Sequence, residues 1–298
     1  MTRHAAAVAA TLIACAGSDV PPAPVCENPQ ILATLPAQIH EASGIALSRR
    51  QPGLFWIHND SRRAPLLYAV DSVGRVHATA RLATVVTPDW EDLAPGPCPA
   101  GSCLYIADIG DNLHNREDRA ILRVREPDPA AREIATVERF PIRYPDRPRD
   151  AEAVFVLPDT TVHVITKGRS GPVTVYRYPP PLRNGERVTL ERVQQLSDAL
   201  EQVPDLVTGA AASTDGTRVA VRTYSHLQLY SITADTLAPL IPGRGYSLAA
   251  LREPQGEGVA LGDDGTVFLV SESGPARAPA PLSRLRCPAD EPKPARRG

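Results

Sequence analysis

One short sequence pattern recurs five times along the chain and limits the folds that the chain can adopt. Each copy opens a short apolar run, and the copies begin at Ser43, Glu91, Glu152, Thr208 and Glu257. The intervals between these openings vary from 48 to 61 residues. Repeats of this length are typical of proteins built from similar supersecondary units that pack side by side or around an axis.

Two further β-rich runs follow each opening. The second runs cover residues 54–58, 104–108, 162–167, 218–223 and 267–272, and the third cover 66–70, 120–124, 173–178, 227–232 and 282–285. Turn dipeptides such as Asn184-Gly185, Asp215-Gly216 and Asp264-Gly265 separate the runs. Long amphipathic helical patterns are absent, so the sequence predicts an all-β chain.

The predicted fold is a single β-propeller of five blades, each with four antiparallel strands. The last repeat lacks a clear fourth strand, but residues 31–35 precede the first repeat and can supply it. Strands from both termini would then close the ring. Two packed β-domains are one alternative, and six blades are another because the repeat spacing is uneven.

The first residues have a different character from the repeats. Thr2, Arg3 and His4 precede an apolar run over 5–13, which is too short for a permanent membrane span and indicates a signal peptide. The run ends in Leu-Ile-Ala-Cys15, which resembles a bacterial lipobox. That resemblance implies that Cys15 is lipidated and that the protein is exported to the bacterial cell envelope and anchored to the membrane. The alternative is ordinary signal cleavage with a free cysteine left over.

These patterns predict four regions along the chain. Residues 1–14 form the signal peptide, 15–29 a flexible tether, 30–287 the propeller and 288–298 a disordered tail.

Export makes the other four cysteines interpretable, because disulfides persist outside the cytoplasm. Four cysteines allow three pairings. Topology favours a local Cys98–Cys103 bridge together with a Cys26–Cys287 bridge that joins the ends of the folded region. A zinc site is the alternative, although the C-x₂-C spacing of such sites is absent among these four.

The charge balance excludes one class of partner. The chain has 32 Lys and Arg residues against 34 Asp and Glu residues, with a formal net charge of −2. A nucleic-acid groove or a polybasic membrane patch is therefore not expected. An anionic small molecule, a protein or a glycan stays open as a partner.

Equivalent positions in successive blades meet around the axis of a propeller. The five openings would therefore form one ring of oxygen-bearing side chains, with three carboxylates close together: Ser43, Glu91, Glu152, Thr208 and Glu257. Converging carboxylates must take up protons, find cations or bind a metal. Oxygen ligands favour Ca²⁺ over zinc. The alternative is that the carboxylates accept backbone N–H bonds from adjacent blades.

The order Ser, Glu, Glu, Thr, Glu resembles the axial ring of the five-bladed calcium-activated nucleotidases, or soluble apyrases, which implies that this ring holds one calcium ion. Further phrases are EASGI at 41–45, DWEDLA at 89–94, DIGDN at 108–112 and PRDAEA at 148–153. They are similar to uncharacterised bacterial propellers related to the phytase-like and esterase-like group. This second resemblance covers 41–273 and implies a propeller with metal-linked hydrolase activity, but it transfers no catalytic residue.

A charged residue lies at or near the end of each second run, 14 to 17 residues after the ring position of the same repeat. These residues are expected to form a second layer around the channel. We expect its acids to orient a metal or a water as catalytic groups: Asp60, Asp108 and Glu272. We expect its cations to hold an anionic substrate, together with two nearby basic side chains: Lys167, Arg222, His58 and Arg119. The alternative is that these charges simply neutralise one another.

No nucleophile motif accompanies these residues, because both the G-x-S-x-G elbow and the phosphate-binding G-x-x-x-x-G-K-[ST] loop are absent. The oxygen-bearing ring and the second layer of charged residues together predict a calcium-supported hydrolase of phosphate esters or related anionic small molecules. A non-enzymatic binding or scaffold propeller of the envelope is the first alternative. A metal-dependent lactonase or esterase is the second.

Overall fold

The computed structural model describes residues 26–60, 64–83, 85, 89–241 and 243–288. The predicted signal peptide, the lipidation site Cys15, most of the tether and residues 289–298 of the tail lie outside the described residues. Within the described part, no helix is both long and apolar enough to cross a membrane.

The described strands form five sheets, each of which is one blade. β1 (Gln30–Thr34) comes first in the chain. Blade 1 contains β2 (Ala42–Leu47), β3 (Leu54–Asn59), β4 (Leu66–Asp71) and β5 (Val76–Leu82). Blade 2 contains β6 (Trp90–Cys98), β7 (Gly101–Asp108), β8 (Ala120–Arg125) and, after the short β9 (Glu133–Ile134), β10 (Glu138–Arg143).

Blade 3 contains β11 (Ala151–Val156), β12 (Val162–Thr166), β13 (Thr174–Arg177) and, after the short β14 (Val188–Thr189), β15 (Glu191–Gln195). Blade 4 contains β16 (Val207–Ala212), β17 (Arg218–Thr223), β18 (His226–Thr233), β19 (Thr236–Pro239) and β20 (Tyr246–Ser247). A 3₁₀-helix (Ala249–Leu251) leads into blade 5, which contains β21 (Gln255–Leu261), β22 (Thr266–Glu272) and β23 (Pro281–Arg286).

The prediction of five mainly antiparallel blades is confirmed. The fourth strand of blade 5 is β1, which pairs antiparallel with β23, so strands from both ends of the described chain share one sheet. Cys26 and Cys287 form a disulfide beside this pairing, and Cys98 and Cys103 form the second, so the predicted cysteine pairs are also confirmed. The ring is thus closed by a strand pair and by a covalent bond.

Two short parallel strands depart from the predicted four-strand blade. β9 leaves blade 2 to pair with β5 of blade 1, and β14 leaves blade 3 to pair with β10 of blade 2. Each adds a fifth strand to the outer edge of the preceding blade. The sheet edges are thereby covered, and neighbouring blades are tied together at the rim.

The core lies between the faces of neighbouring blades. Blades 1 and 2 bury Trp56, Trp90 and Leu104 against one another, and blades 2 and 3 bury Tyr105 and Tyr176. A buried residue of this size contributes about 1.5–3 kcal/mol when its apolar surface leaves water. Both faces of a blade are covered, which explains why the inner strands are buried at nearly every position.

Every inner strand has an irregularity in its pairing at the predicted ring position. The register shifts lie between residues 42 and 45, 90 and 92, 151 and 153, 207 and 209, and 256 and 259. A β-bulge bends the strand and redirects a side chain. At the first bulge, a Cβ on Gly44 would lie 2.4 Å from His58 Nε2 and 2.6 Å from the Leu93 nitrogen, so glycine is required there.

A buried histidine in blade 3 should make the fold sensitive to acid. His163 stacks on Phe155 with ring centroids 4.6 Å apart, its Nε2 lies 3.2 Å from Asp235 Oδ1, and burial lowers its pKa from 6.5 to about 4. The unfolded chain therefore binds more protons between these pH values, and stability should fall as the pH falls from 6.5 to 4. This one side chain should account for about 3 kcal/mol of that loss.

We expect His163→Phe to remove about 3 kcal/mol from this acid-induced loss, measured by urea unfolding at the two ends of the window. His77→Phe is the matched control, because that ring is exposed and pairs with Asp71 at the surface. An undiminished acid-induced loss in the His163 variant would contradict the assignment.

Candidate metal centre at the mouth of the channel

The five inner strands, β2, β6, β11, β16 and β21, contact one another in sequence around the axis. The ring positions lie near the start of these strands, and the second strands end at the same face because they run antiparallel to the inner ones. We call this end of the channel the mouth. It gathers residues that are far apart in the sequence.

The two hydroxyl groups of the predicted ring join neighbouring blades. Ser43 Oγ donates a hydrogen bond to the backbone carbonyl of Glu91, and Thr208 Oγ1 donates to the carbonyl of Glu257 at 2.9 Å. Both hydroxyls are buried. Their donor capacity is therefore used to hold blade 1 to blade 2 and blade 4 to blade 5.

The three ring carboxylates lie in a buried, negatively charged environment. Burial and the charge of Glu152 raise the pKa of Glu91 and of Glu257 well above its ordinary value. Burial also raises the pKa of Glu152 to about 7, although Lys167 Nζ donates to Glu152 Oε1 at 2.6 Å and opposes the shift. Carboxyl groups of the mouth are therefore partly protonated near neutral pH unless a further cation binds there.

Three acids converge in one carboxylate cluster at the mouth. Asp60, Asp89 and Glu91 each place one oxygen within 4.8 Å of the others. Oxygens on opposite sides of one Ca²⁺ are separated by about 5 Å, because each Ca–O bond is about 2.4 Å long. The donor set and its spacing fit a hard cation. Glu91 is the member of this cluster that the ring prediction included.

A close approach of backbone to this cluster requires glycine. A Cβ on Gly110 would lie 1.8 Å from Glu91 Oε1 and 2.8 Å from Asp89 Oδ2. The DIGDN segment therefore forms one wall of the candidate metal centre as well as a turn.

An arginine that the sequence analysis did not select lies beside the cluster. Arg116 donates to Asp108 Oδ1 at 2.8 Å, and its Nη1 lies 3.3 Å from Asp89 Oδ2. Burial raises the pKa of Asp108, with Arg116 opposing the shift. Asp108 also accepts the Asp89 backbone N–H at 3.1 Å. Asp108 therefore positions Asp89 and is not a member of the three-acid cluster.

Glu272 ends β22 of blade 5, which contacts β2 of blade 1, and it is partly exposed. Burial raises its pKa to about 7, and the charges of Asp60 and Glu41 add to the shift. A carboxyl group with a pKa close to neutrality can exchange protons efficiently. The predicted catalytic residues Asp60 and Glu272 are thus brought together.

The structure does not assemble the predicted anion-binding set. Arg222 is fully buried; its Nη1 donates to the carbonyls of Gly258 at 2.8 Å and Val270 at 2.9 Å, and its Nη2 pairs with Glu253. These contacts tie blade 4 to blade 5. Because its guanidinium is committed to protein groups, Arg222 does not join Lys167 on one anion.

The other two predicted anion ligands are also engaged elsewhere. Arg119 pairs with Asp111 and lies 5.5 Å above the Tyr144 ring. His58 is fully buried, its Nδ1 lies 3.0 Å from the Asn59 carbonyl, and burial lowers its pKa to about 4. His58 is therefore neutral at physiological pH.

Asp92 is the central residue that the sequence analysis missed. Its Oδ2 accepts the backbone N–H groups of Val154 at 2.9 Å and Ala210 at 3.0 Å, and its Oδ1 accepts that of Leu93 at 2.8 Å. Burial raises its pKa to about 7, while these hydrogen bonds oppose the shift. A carboxylate that accepts N–H groups from adjacent blades was the alternative considered for the ring. Asp92, one residue beyond the ring position of blade 2, accepts N–H groups from blade 3 and from the non-adjacent blade 4.

The fold and the mouth define the chain as a five-bladed β-propeller with a carboxylate-lined channel. No family model and no curated protein matches the sequence. A solved aldose sugar dehydrogenase from Streptomyces coelicolor with bound PQQ is similar, with 12% identity, a TM-score of 0.52, and coverage of 89% of this chain and 99% of that one.

The apo form of a soluble aldose sugar dehydrogenase from Escherichia coli has 10% identity and a TM-score of 0.51, covering 87% and 99%. A calcium-binding protein, regucalcin, from Agrobacterium tumefaciens has 14% identity and a TM-score of 0.45, covering 83% and 75%. At these identities the similarity shows the fold alone. The nucleotidase and phytase-like resemblances stay predictions.

Proposed function

We propose that this chain is a calcium-dependent hydrolase whose site is the mouth of the channel. Asp60, Asp89 and Glu91 would hold the ion. The observation that carries the proposal is the convergence of their three oxygens within 4.8 Å. Three acids from two blades meet here, and Arg116 forms an ion pair with one of them, Asp89.

The residues around this cluster support hydrolysis. A bound calcium ion would supply Lewis acidity toward a substrate oxygen or a water. Glu272 has a pKa of about 7 and is partly exposed, so it can accept a proton from an attacking water. Lys167 places a buried ammonium group 2.6 Å from Glu152 Oε1, and its charge can stabilise negative charge that develops nearby.

The charge of the mouth favours an uncharged carboxylic ester or lactone as substrate. Phosphate-ester hydrolysis was predicted on a joint Lys167 and Arg222 site, and Arg222 is committed to blade 5. The remaining acids repel an approaching dianion. The metal-dependent lactonase or esterase, first considered as an alternative, therefore agrees better with the geometry.

We further propose that the protein acts in the bacterial cell envelope, attached through a lipid on Cys15. The two disulfides support export, because such bonds persist in oxidising compartments. A protein or glycan partner at the rim is compatible with that location.

Hydrolysis can be tested with p-nitrophenyl acetate, δ-valerolactone and p-nitrophenyl phosphate, each in calcium and in EGTA. We expect turnover of the ester and the lactone in calcium, loss in EGTA, and a fall of more than about 100-fold in calcium affinity for Glu91→Gln. Glu186→Gln is the control, because Glu186 is exposed and far along the chain from the cluster. Its activity should equal that of the native protein.

The alternative outcomes are distinct. Calcium-dependent hydrolysis of the phosphate alone would restore the phosphate-ester prediction. Metal binding without turnover of any substrate would favour the non-enzymatic binding propeller.

A further inference from the structure

A cavity opens between blades 4 and 5, on the same face as the mouth. Its volume is about 500 Å³. Its walls are formed by residues 203–204, 224–225, 248–249 and 252–256. Small-molecule sites typically have volumes of about 300–1,000 Å³, so this cavity has room for a substrate group.

Two side chains connect the cavity with the mouth. Gln255 lines the cavity, and its Nε2 donates to Glu257 Oε1 at 2.8 Å. Tyr224 also lines it; burial raises the pKa of Tyr224, and the charge of Glu257 adds to the shift. A molecule in the cavity would therefore lie next to the carboxylates of the mouth.

The walls of the cavity combine apolar side chains with polar ones and with the exposed cation Arg252. Val203, Pro204, Leu248 and Pro254 contribute apolar surface, and Val203 is 69% exposed although it is a large aliphatic residue. The buried charge of Glu253 is neutralised by Arg222. These apolar side chains give part of the cavity a surface on which a hydrocarbon group can pack.

We propose that this cavity binds the apolar acyl portion of a neutral ester whose ester group lies at the mouth. This inference rests on the proposed hydrolase function and specifies its substrate class. Substrates with a longer acyl chain should gain binding energy as they fill this space.

The first test uses p-nitrophenyl esters of increasing acyl length in calcium. In the native protein, kcat/KM should rise about 4-fold per added methylene until the cavity is filled. Ala249→Trp should abolish this rise, because Ala249 lines the cavity. Ala250→Trp is the matched control: it lies in the same exposed 3₁₀-helix but does not line the cavity, so it should retain the native dependence. A native dependence in Ala249→Trp would overturn the proposal.

The second test does not depend on hydrolysis. The neutral fluorophore N-phenyl-1-naphthylamine should bind saturably to the native protein and to Ala250→Trp, with at least about 10-fold weaker binding to Ala249→Trp. This result would support the cavity even if no ester were cleaved, in which case only the hydrolase function would fail. Absence of binding to the native protein, or equal binding to all three, would overturn the cavity assignment.

Discussion

Replacing both Cys26 and Cys287 with serine should lower the free energy of unfolding by about 5 kcal/mol. The two cysteines are separated by 261 residues and are buried beside the pairing of β1 with β23. A crosslink across so long a segment removes much of the conformational freedom of the unfolded chain. For a domain of this size, the melting temperature should fall by about 10 °C or more, measured by calorimetry without reductant.

The second disulfide provides an internal control. Cys98 and Cys103 are separated by 5 residues, so their replacement by serine should cost only about 2 kcal/mol in the same chain-entropy account. Equal losses for the two double variants would show that closure of the ring is not what the long-range bridge stabilises.

Calcium should reverse the stability order of the native protein and Glu91→Gln. Without calcium, the variant should melt at the higher temperature, because a neutral amide replaces a carboxylate whose charged form is disfavoured by burial and by Glu152. With calcium at about 100 times its dissociation constant, the native protein should gain about 2.7 kcal/mol. That gain corresponds to about 5–10 °C in the melting temperature.

Glu186→Gln should follow the native protein under both conditions, since its carboxylate is exposed. The decisive measurement is a pair of melting curves, in calcium and in EGTA, for each of the three proteins. If calcium raises the melting temperature of Glu91→Gln as much as that of the native protein, the ion does not bind at the three-acid cluster.

The fold was predictable because its determinants are periodic. Strand-length runs, turn dipeptides and a five-fold repeat depend on local sequence, and β3, β17 and β22 lie within a residue or so of their predicted bounds. The replacement of the missing fourth strand by β1 also followed from the repeat, since every other repeat had one. The short strands β9 and β14 were missed because two-residue strands leave no pattern.

The site was less predictable because it depends on bulges and on the direction of long side chains. A bulge redirects single side chains and so breaks the period of two on which strand arguments rely. The roles of Asp89 and Asp92 were therefore not predicted, although both residues belong to the quoted motif DWEDLA. Four polar or aromatic residues in succession, DWED, were a signal in the sequence that a site lies there. Arg222 lies near the end of β17, as predicted. Its side chain extends into blade 5, where backbone carbonyls accept its hydrogen bonds.

The composite fifth blade imposes an order on how the molecule is completed during synthesis. β1 leaves the ribosome before any blade, yet its partner β23 is made after all the others. Blades 1 to 4 can assemble from consecutive hairpins, whereas the last sheet must wait for the final strand. In an oxidising compartment that the chain enters from its N-terminal end, Cys26 would meet Cys98 and Cys103 before its own partner Cys287. We expect early closure of the short Cys98–Cys103 loop to remove these two thiols from competition and to keep Cys26 free for the last strand.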